Sequence, residues 1–423
     1  MKAVILTIGD EILIGQVVNT NAQFISKKLF SAGIAVDRVI SLGDDEREII
    51  KEFRLAYKKY DVIVVTGGLG PTHDDITKIC ITKFFKSKLI RDKNVLKHIR
   101  QIYSRRKIAL NDSQIMQAMV PDAAIALHNK LGTAPGILVD KGGKIFCALP
   151  GIPYEMEYIT EHGLIPYIKK KYKGSKRSGV LLQKTLHTIG IAESRLAQRL
   201  GDIGKIARSG KDYSVKLAFL PSFFEVRLRI TIEAASEKKA TSLLKESVKI
   251  IKDKAASYIY SYDQSPLQKV VGDILRKRKL WLSVAESCTG GLIASKITDI
   301  AGSSDYFLEG LVTYADKAKM NLLGVKRATL KKYGAVSGQT AIEMAGGIRK
   351  RSGSDVSISV TGIAGPAGAT PGKPVGLVWI GYSNKKKTFA KKFIFTRERF
   401  RNKEIMSKMA LEVLRRELLG INN

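Results

Sequence analysis

Through the first 165 residues, short and nearly continuous apolar runs alternate with longer stretches in which apolar residues recur every three or four positions. KAVILTIG (2–9) and DVIVVTGG (61–68) have the composition of strands buried on both faces, and each runs into glycine. Between them, NAQFISKKLFSAG places Phe24, Ile25 and Leu29 on one helical face and stops at Gly33. Strands alternating with helices predict an α/β domain with a parallel sheet, which binds ligands at the carboxyl ends of its strands. MKAVILTIGDEIL has one lysine and an apolar run broken by Asp10 and Glu11, so neither a signal peptide nor a membrane span is expected. A cytoplasmic protein with no membrane partner is the expectation.

The pattern changes twice. Residues 169–178, KKKYKGSKRS, carry six basic residues, no acid and no apolar period, and predict a linker. From about 180 to 260 come a strand-like run, a helix (IAESRLAQRL) and an alternating strand (EVRLRITIEA, with Val226, Leu228, Ile230 and Ile232 on one face). A second helix completes a small α+β domain. After SYDQSP (261–266), an amphipathic run from Leu267 to Leu275 opens a third domain, again α/β. The expected division is 1–168, 175–260 and 265–423, since 423 residues exceed what one core organises.

Charge sharpens this only a little. Lys plus Arg number 72 against 39 Asp plus Glu, a net +33, which favours phosphorylated or polyanionic partners, but a solvated basic surface has the same composition. The three cysteines, Cys80, Cys147 and Cys288, are far apart and form no CxxC pair, which argues against a disulfide framework or a zinc site.

In the first domain, TGGLGPTHDDIT (66–77) follows a strand and precedes a helical pattern. Gly67, Gly68 and Gly70 let backbone N–H groups approach an anion, with Thr72 beside them, and Asp74 and Asp75 supply hard oxygen ligands of the kind Mg²⁺ uses beside phosphate. For a bare glycine loop, helix capping by Thr72 or Asp74 with the glycines in a tight turn is the commoner explanation. Two more acidic turns after strands, Gly9-Asp10-Glu11 and Asp44-Asp45, favour a site.

Together with Gly15, Asn19 and Asn21 in GDEILIGQVVNTN, LGTAPG (131–136) and LPGIPYEM (149–156), these residues resemble the molybdopterin-binding fold, and more closely the N-terminal domain of the CinA family. The resemblance implies a molybdopterin-binding-like three-layer domain and metal-dependent hydrolysis of ADP-ribose to AMP and ribose 5-phosphate. It makes Asp10, Glu11, Asn21, Asp44, Asp74 and Asp75 candidates to hold a divalent metal, Mg or Co. A KH-type module is implied for the middle domain. Its GDIG (201–204) has the spacing of a nucleic-acid clamp, but Asp202 opposes phosphate, so a spacer or dimerisation element is expected and nucleic acid is not.

In the third domain, WLSVAESCTGGLIASKITDI predicts a strand ending near Ala285, a polar turn, and a helix with Ile293, Ile297 and Ile300 on its apolar face. All five histidines precede residue 190, which excludes a cysteine–histidine pair within this domain. A hydroxyl nucleophile needs a different base, and a desolvated lysine can serve as one; GLVTYADKAKMNLLGV offers Tyr314, Lys317 and Lys319, although a lone lysine is usually a solvated surface residue. Glu286 fits an acid in a helix's first turn, and Cys288 a buried small residue.

AESCTGG, GSS (302–304), TYADKAK, GAVS (334–337), TGIAGP (361–366) and KPVGLVWIGY (373–382) resemble the C-terminal domain of the same family, the nicotinamide-nucleotide amidases. The resemblance implies a cofactor-free α/β amidase acting on nicotinamide mononucleotide, with Ser287 as nucleophile assisted by Lys319 and Tyr314. It marks Thr289, Gly290, Gly291, Ser303, Ser304, Thr361, Gly362 and Gly365 as substrate-binding candidates, with N–H groups from Thr289 to Gly291 for the oxyanion. Arg399 in FTRER aligns with the arginine of the family's F-x-G-D-R, and Arg397 is the near alternative. Where the family has YSNEAK this chain has YADKAK, and Lys317 would depress the pKa of Lys319 if the two were close. A homodimer is expected. Rival readings are a nucleic-acid-binding competence or damage-response protein, and an N-terminal domain that acts on a pterin–nucleotide.

Overall fold

The computed structural model describes residues 1–72, 75–105, 107–172, 180–222, 224–396 and 398–421. The chain forms two compact units, Met1–Leu182 with Gly210–Ser214 and Ile232–Leu243, and Gln183–Ser209 with Val215–Thr231 and Leu244–Asn423. The stretch expected as a middle domain contributes to both.

In the first unit a six-stranded sheet has the order Ala35–Leu42, Lys2–Ile8, Val62–Thr66, Lys144–Leu149, Gly136–Lys141, Ile125–Leu127. The first four strands run parallel, Gly136–Lys141 runs antiparallel to them, and Ile125–Leu127 runs antiparallel to Gly136–Lys141. Because side chains alternate across a strand, Ala3 and Ile5 join one core and Val4, Leu6 and Ile8 another, so both faces are covered and the domain has three layers. The hairpin between Gly136–Lys141 and Lys144–Leu149 turns on Gly142 (φ +60°) and Gly143 (φ +75°), the two left-handed residues a tight hairpin of this hand requires. Lys169–Lys171 are the end of the helix Ile165–Lys171 rather than linker, with Lys171 paired to Asp140; residues 173–179 of the expected linker lie outside the described residues.

In the second unit a five-stranded sheet has the order Phe307–Val312, Leu282–Glu286, Val356–Gly362, Leu377–Asn384, Thr388–Ile394. The first three strands are parallel. Val226, Leu228 and Ile230 of Glu225–Ala234 are buried at alternate positions, as the period-two pattern predicts. In GDIG, Gly201 (φ +68°) ends the helix Glu193–Leu200, and Asp202 accepts the Gly204 N–H to cap a short 3-10 turn. The motif serves as two caps. Among the described residues no helix is long and apolar enough to cross a membrane.

Candidate active sites

Leu282–Glu286 is the first strand of its sheet, and the next two strands in sequence, Phe307–Val312 and Val356–Gly362, flank it on opposite sides. The connections therefore leave in opposite directions, and a crevice opens at the carboxyl end of the first strand. Glu286 is in register with both Val312 and Val360, so Ser287, Thr313 and Thr361 emerge side by side. The Ser287 N–H donates to Val360 O at 2.9 Å, and the Thr313 N–H to Glu286 O at 2.8 Å.

The turn is built around Glu286. Its carboxylate, 1% exposed, accepts from the N–H groups of Gly291 (3.0 Å), Ile293 (3.1 Å) and Ala294 (2.9 Å), which satisfies donors that a helix start leaves orphaned. Gly290 and Gly291, at φ +63° and +91°, supply the left-handed backbone that brings the chain round. This corrects one expectation. The Gly290 N–H donates to Ser287 O at 3.1 Å and that of Gly291 to Glu286, so of the three oxyanion donors only Thr289 keeps an N–H that makes no hydrogen bond to the described residues. The Thr289 hydroxyl is also buried without a partner among them.

Lys319, on the helix Asp316–Leu323, is 1% exposed. Its ammonium donates to Thr313 O (3.0 Å) and Tyr314 O (2.8 Å), which places it at the carboxyl end of Phe307–Val312, the strand beside the one that leads into Ser287. Burial pushes its pKa below the ordinary lysine range, opposed by Asp316 at 3.9 Å and by Cys288. Lys317 is exposed and is not among the causes, so burial does what the like charge was expected to do. Tyr314 touches Lys319 through its carbonyl; its side chain is 61% exposed and its hydroxyl accepts from Arg399 at 3.4 Å.

Arg399 opens the helix Arg399–Leu419 and also donates to Gly365 O at 2.9 Å. One turn on, the buried Asn402 donates to Ala364 O at 2.9 Å. These two side chains pin the TGIAGP loop to the helix. Lys403 was not anticipated from the sequence: its ammonium lies 3.6 Å from where a side chain on Gly290 would begin, the closest atom at that point. Arg397 lies outside the described residues. Thr361 and Gly362 end the strand beside Ser287, with the Thr361 hydroxyl committed to Ala335 O at 2.7 Å.

Ser303 and Ser304 are not in this crevice. They sit in the turn Ser303–Asp305 that leads into Phe307–Val312, at the amino end of the parallel strands, where Leu282 N–H donates to Tyr306 O. Five strand residues separate that end from Ser287, roughly 16 Å at the usual rise per residue. Cys288, 6% exposed, has its thiol 3.7 Å from Met406 Sδ, and burial pushes its pKa up to about 12.

The first unit repeats the arrangement. Lys2–Ile8 lies between the second and third strands of its sheet, and a cavity of about 400 Å³ opens at its carboxyl end. Glu11, Asp44, Gly67, Gly68, Gly70, Asp75, Gln117, Gly151 and Glu155 line it. A side chain on Gly67 (φ +107°) would lie 2.0 Å from Ile8 O, so the glycine allows two strand ends to approach. The N–H groups of Asp10 and Asp44 each donate to the other's carboxylate at 3.3 Å. Asp75 accepts from the Thr72 N–H at 2.9 Å and from its hydroxyl, and Asp45 caps the helix Glu46–Lys59 through Glu48 N–H at 2.9 Å. Asn21 donates to Thr66 Oγ1 (3.1 Å) and Gly151 O (2.7 Å) and clamps the strand ends; its buried Oδ1 has no partner among the described residues. Asp74 lies outside the described residues.

Two further groups stand out in this cavity. Glu155, 6% exposed, accepts from Asn129 Nδ2 at 2.6 Å and fits against Gly132, where a side chain would lie 2.2 Å from its carboxyl carbon. Burial raises its pKa, with Asn129 opposing. Gln117 is 2% exposed with Oε1 unpartnered among the described residues. Glu155 stands in the quoted LPGIPYEM, but nothing in its spacing marks it as facing a cavity. Among the described residues no three His, Cys, Asp or Glu side chains are grouped to hold a metal ion. Mg²⁺ usually takes one or two carboxylates and completes its shell with water and substrate phosphate, a mode that needs no such group of three, and Glu11, Asp44 and Asp75 each line the cavity.

Comparison with known proteins matches the chain in three successive parts: a probable molybdopterin binding domain over residues 4–170, a damage-inducible protein CinA KH domain over 183–261, and a CinA C-terminal domain over 264–418. Over 419 residues, 99% of this chain and 100% of the relative, it is 42% identical to a putative competence-damage inducible protein of Caldicellulosiruptor bescii. It is 42% identical over 423 residues, 100% of both, to a CinA-like protein of Kosmotoga olearia. A solved structure of the competence/damage inducible protein CihA from Agrobacterium tumefaciens is 40% identical, covering 36% of this chain and 93% of that one, with a TM-score of 0.35.

Proposed function

The chain belongs to the CinA family, and we propose that it is a two-site nucleotide hydrolase. The crevice at Ser287 deamidates nicotinamide mononucleotide to nicotinate mononucleotide, and the cavity at Gly67–Asp75 hydrolyses ADP-ribose to AMP and ribose 5-phosphate. The observation that carries the first activity is a helix lysine, 1% exposed and with lowered pKa, whose ammonium is held by carbonyls at the strand end adjoining Ser287.

The amidase chemistry follows from the groups present. Lys319, as the free amine, takes the proton of Ser287 Oγ while the oxygen attacks the carboxamide carbon. The Thr289 N–H is the available donor toward the oxyanion. Lys319 then returns the proton to the departing nitrogen, ammonia leaves, and a water activated by the same amine cleaves the ester formed at Ser287. Tyr314 positions this set through its carbonyl, which holds Lys319, and its hydroxyl, which meets Arg399. Arg399 and Lys403 are the cations nearest to hand for the substrate's phosphate.

In the first unit, one or two of the lining carboxylates Glu11, Asp44 and Asp75 would hold a divalent cation, which supplies charge neutralisation at the pyrophosphate when bound. The glycine loop offers N–H groups to the phosphates. The buried Glu155 is suited to hold or release a proton at the reacting water. A pterin–nucleotide is the second reading for this cavity, favoured by the match to a probable molybdopterin binding domain.

The test is to follow ammonia release from nicotinamide mononucleotide and AMP release from ADP-ribose and from adenylated molybdopterin, each with and without EDTA. We expect EDTA to halt only AMP release. Loss of both activities would mean one shared metal site, and AMP release from the pterin compound alone would move the N-terminal site to the second reading.

A further inference from the structure

In the second unit, away from Ser287, two adjoining hollows of about 440 and 500 Å³ share Gly190 and Tyr258. Five cations line them: Arg195 and Arg199, one turn apart on the helix Glu193–Leu200, Lys391 and Lys392 on the strand Thr388–Ile394, and Arg416 on the last helix. The Arg199 and Arg416 guanidinium groups lie 5.5 and 6.0 Å from the Tyr258 ring centroid, within cation–π range. Arg199 Nε donates to Lys254 O at 2.6 Å, which fixes its head in place. The one acid in the lining among the described residues, Glu412, is bound by Arg415 at 2.7 and 2.9 Å and lies 3.6 Å from Arg416, which also donates to Ser257 O at 3.3 Å, so Glu412 offsets part of the Arg416 charge and leaves the other four cations of the lining unmatched by it. Burial holds the Lys391 pKa below the ordinary lysine range; Glu417 and Glu412 oppose this, and Arg416 and Lys387 add to it.

Cations gathered in a concave site repel one another, and a multivalent anion removes that cost. Lys391 and Lys392 stand on the sheet's edge strand, where charge also discourages pairing with another chain. That role asks nothing of Arg195 and Arg199 on a different element. We propose that this cleft binds the phosphate chain of a small oligophosphate, of the class of the nucleoside di- and triphosphates. Its volume suits a ligand of nucleotide size. A single phosphate would engage only part of the set, whereas a chain of two or three spans from the Arg195 hollow to the Lys392 hollow across Tyr258.

The test uses the full chain in EDTA and titrates inorganic triphosphate by calorimetry, with ATP and a single-stranded oligonucleotide as further arms. Triphosphate should also protect Lys391 and Lys392 from an amine-reactive label read by mass spectrometry. The double variant Arg195→Glu, Lys392→Glu changes two exposed side chains. It should keep ammonia release from nicotinamide mononucleotide as proof of folding, and should lose about tenfold or more in triphosphate affinity, as expected when charge-assisted contacts are removed. Equal binding of triphosphate and ATP, or tighter binding of ATP, upholds the site. A variant that binds triphosphate as the native chain does, absence of lysine protection, or binding of the oligonucleotide without the triphosphate would overturn it.

Discussion

The Lys319 ammonium lies 3.0 Å from the carbonyl oxygen of Thr313, whose own N–H is bonded to the carbonyl of Glu286, the residue before Ser287. Two of its protons are held by carbonyls, so one direction remains for exchange with a nucleophile. The protonated form cannot accept a proton, so the amidase rate should rise with pH. Because burial lowers the Lys319 pKa, the rise should level off below the ordinary lysine range. Lys319→Arg keeps the charge but cannot give it up, and should abolish the rate at every pH. A profile of kcat/KM against pH decides this, and a plateau reached only where a solvated lysine titrates would count against Lys319 as the base.

Ser287 and Cys288 are neighbours in sequence with opposite surroundings. The Cys288 thiol packs on Met406 and its pKa is raised to about 12, so it holds almost no thiolate at neutral pH. Ser287→Ala should lower ammonia release by roughly a thousandfold or more, as loss of other nucleophiles does. Cys288→Ala should retain most of the rate at a stability cost of about 1 kcal/mol, the scale of one buried group removed. The reverse pattern of activities would overturn the serine mechanism.

Arg399 and Lys403 compete for the role of phosphate ligand. Arg399 is partly spent on Gly365 O and Tyr314, whereas Lys403 reaches toward the turn at Gly290. Lys403→Ala should raise KM for nicotinamide mononucleotide about tenfold with little change in kcat, the signature of lost uniform binding. Arg399→Ala should lower kcat as well, since it loosens the loop and Tyr314 together. Steady-state kinetics on both variants separate the two roles, and an unchanged KM in Lys403→Ala removes it from the site.

Glu155 carries a pH signature in stability. Its folded pKa is raised above the unfolded value of about 4.5 by burial, so the native state holds the proton more tightly than the unfolded chain. This contribution is present at low pH and is lost as pH rises through the folded pKa. Glu155→Gln keeps an acceptor for Asn129 and cannot ionise. Relative to the native chain, it should gain stability as pH goes from acid to neutral. Thermal unfolding of the two proteins across that range provides the check, and a difference in Tm that is constant with pH would show that the carboxyl is not strained by burial.

The strand, turn and helix around Ser287 were legible because a buried strand, two glycines and an amphipathic helix each leave a local pattern. What holds them together was not. Nothing in the spacing of Glu286 and Ala294 says that one carboxylate ties three N–H groups, and Lys319 is distinguished from Lys317 only by which side of a short helix is buried. Ser303 and Ser304 show the opposite error, since a family motif carries no information about which end of a strand it occupies. In the first unit the acidic turns at Asp10, Asp44 and Asp75 follow strands, as expected. Glu155 and Gln117 became visible only when strands distant in sequence closed the cavity. The six basic residues at 169–178 looked like a linker because charge outweighed period, yet three of them complete a helix.

Burial of the sulfur atoms bears on where such a protein can work. Cys80, Cys147 and Cys288 are all buried and unpaired, and desolvation raises the pKa of each thiol. Peroxides and electrophiles attack the thiolate at an accessible site, and neither condition is met. A hydrolase using an accessible cysteine at the second position of the SCTGG turn would fail whenever its surroundings became oxidising. Built on the hydroxyl next to it, as proposed for Ser287, the same turn would go on working through oxidative stress, needing neither a reductant nor a repair enzyme.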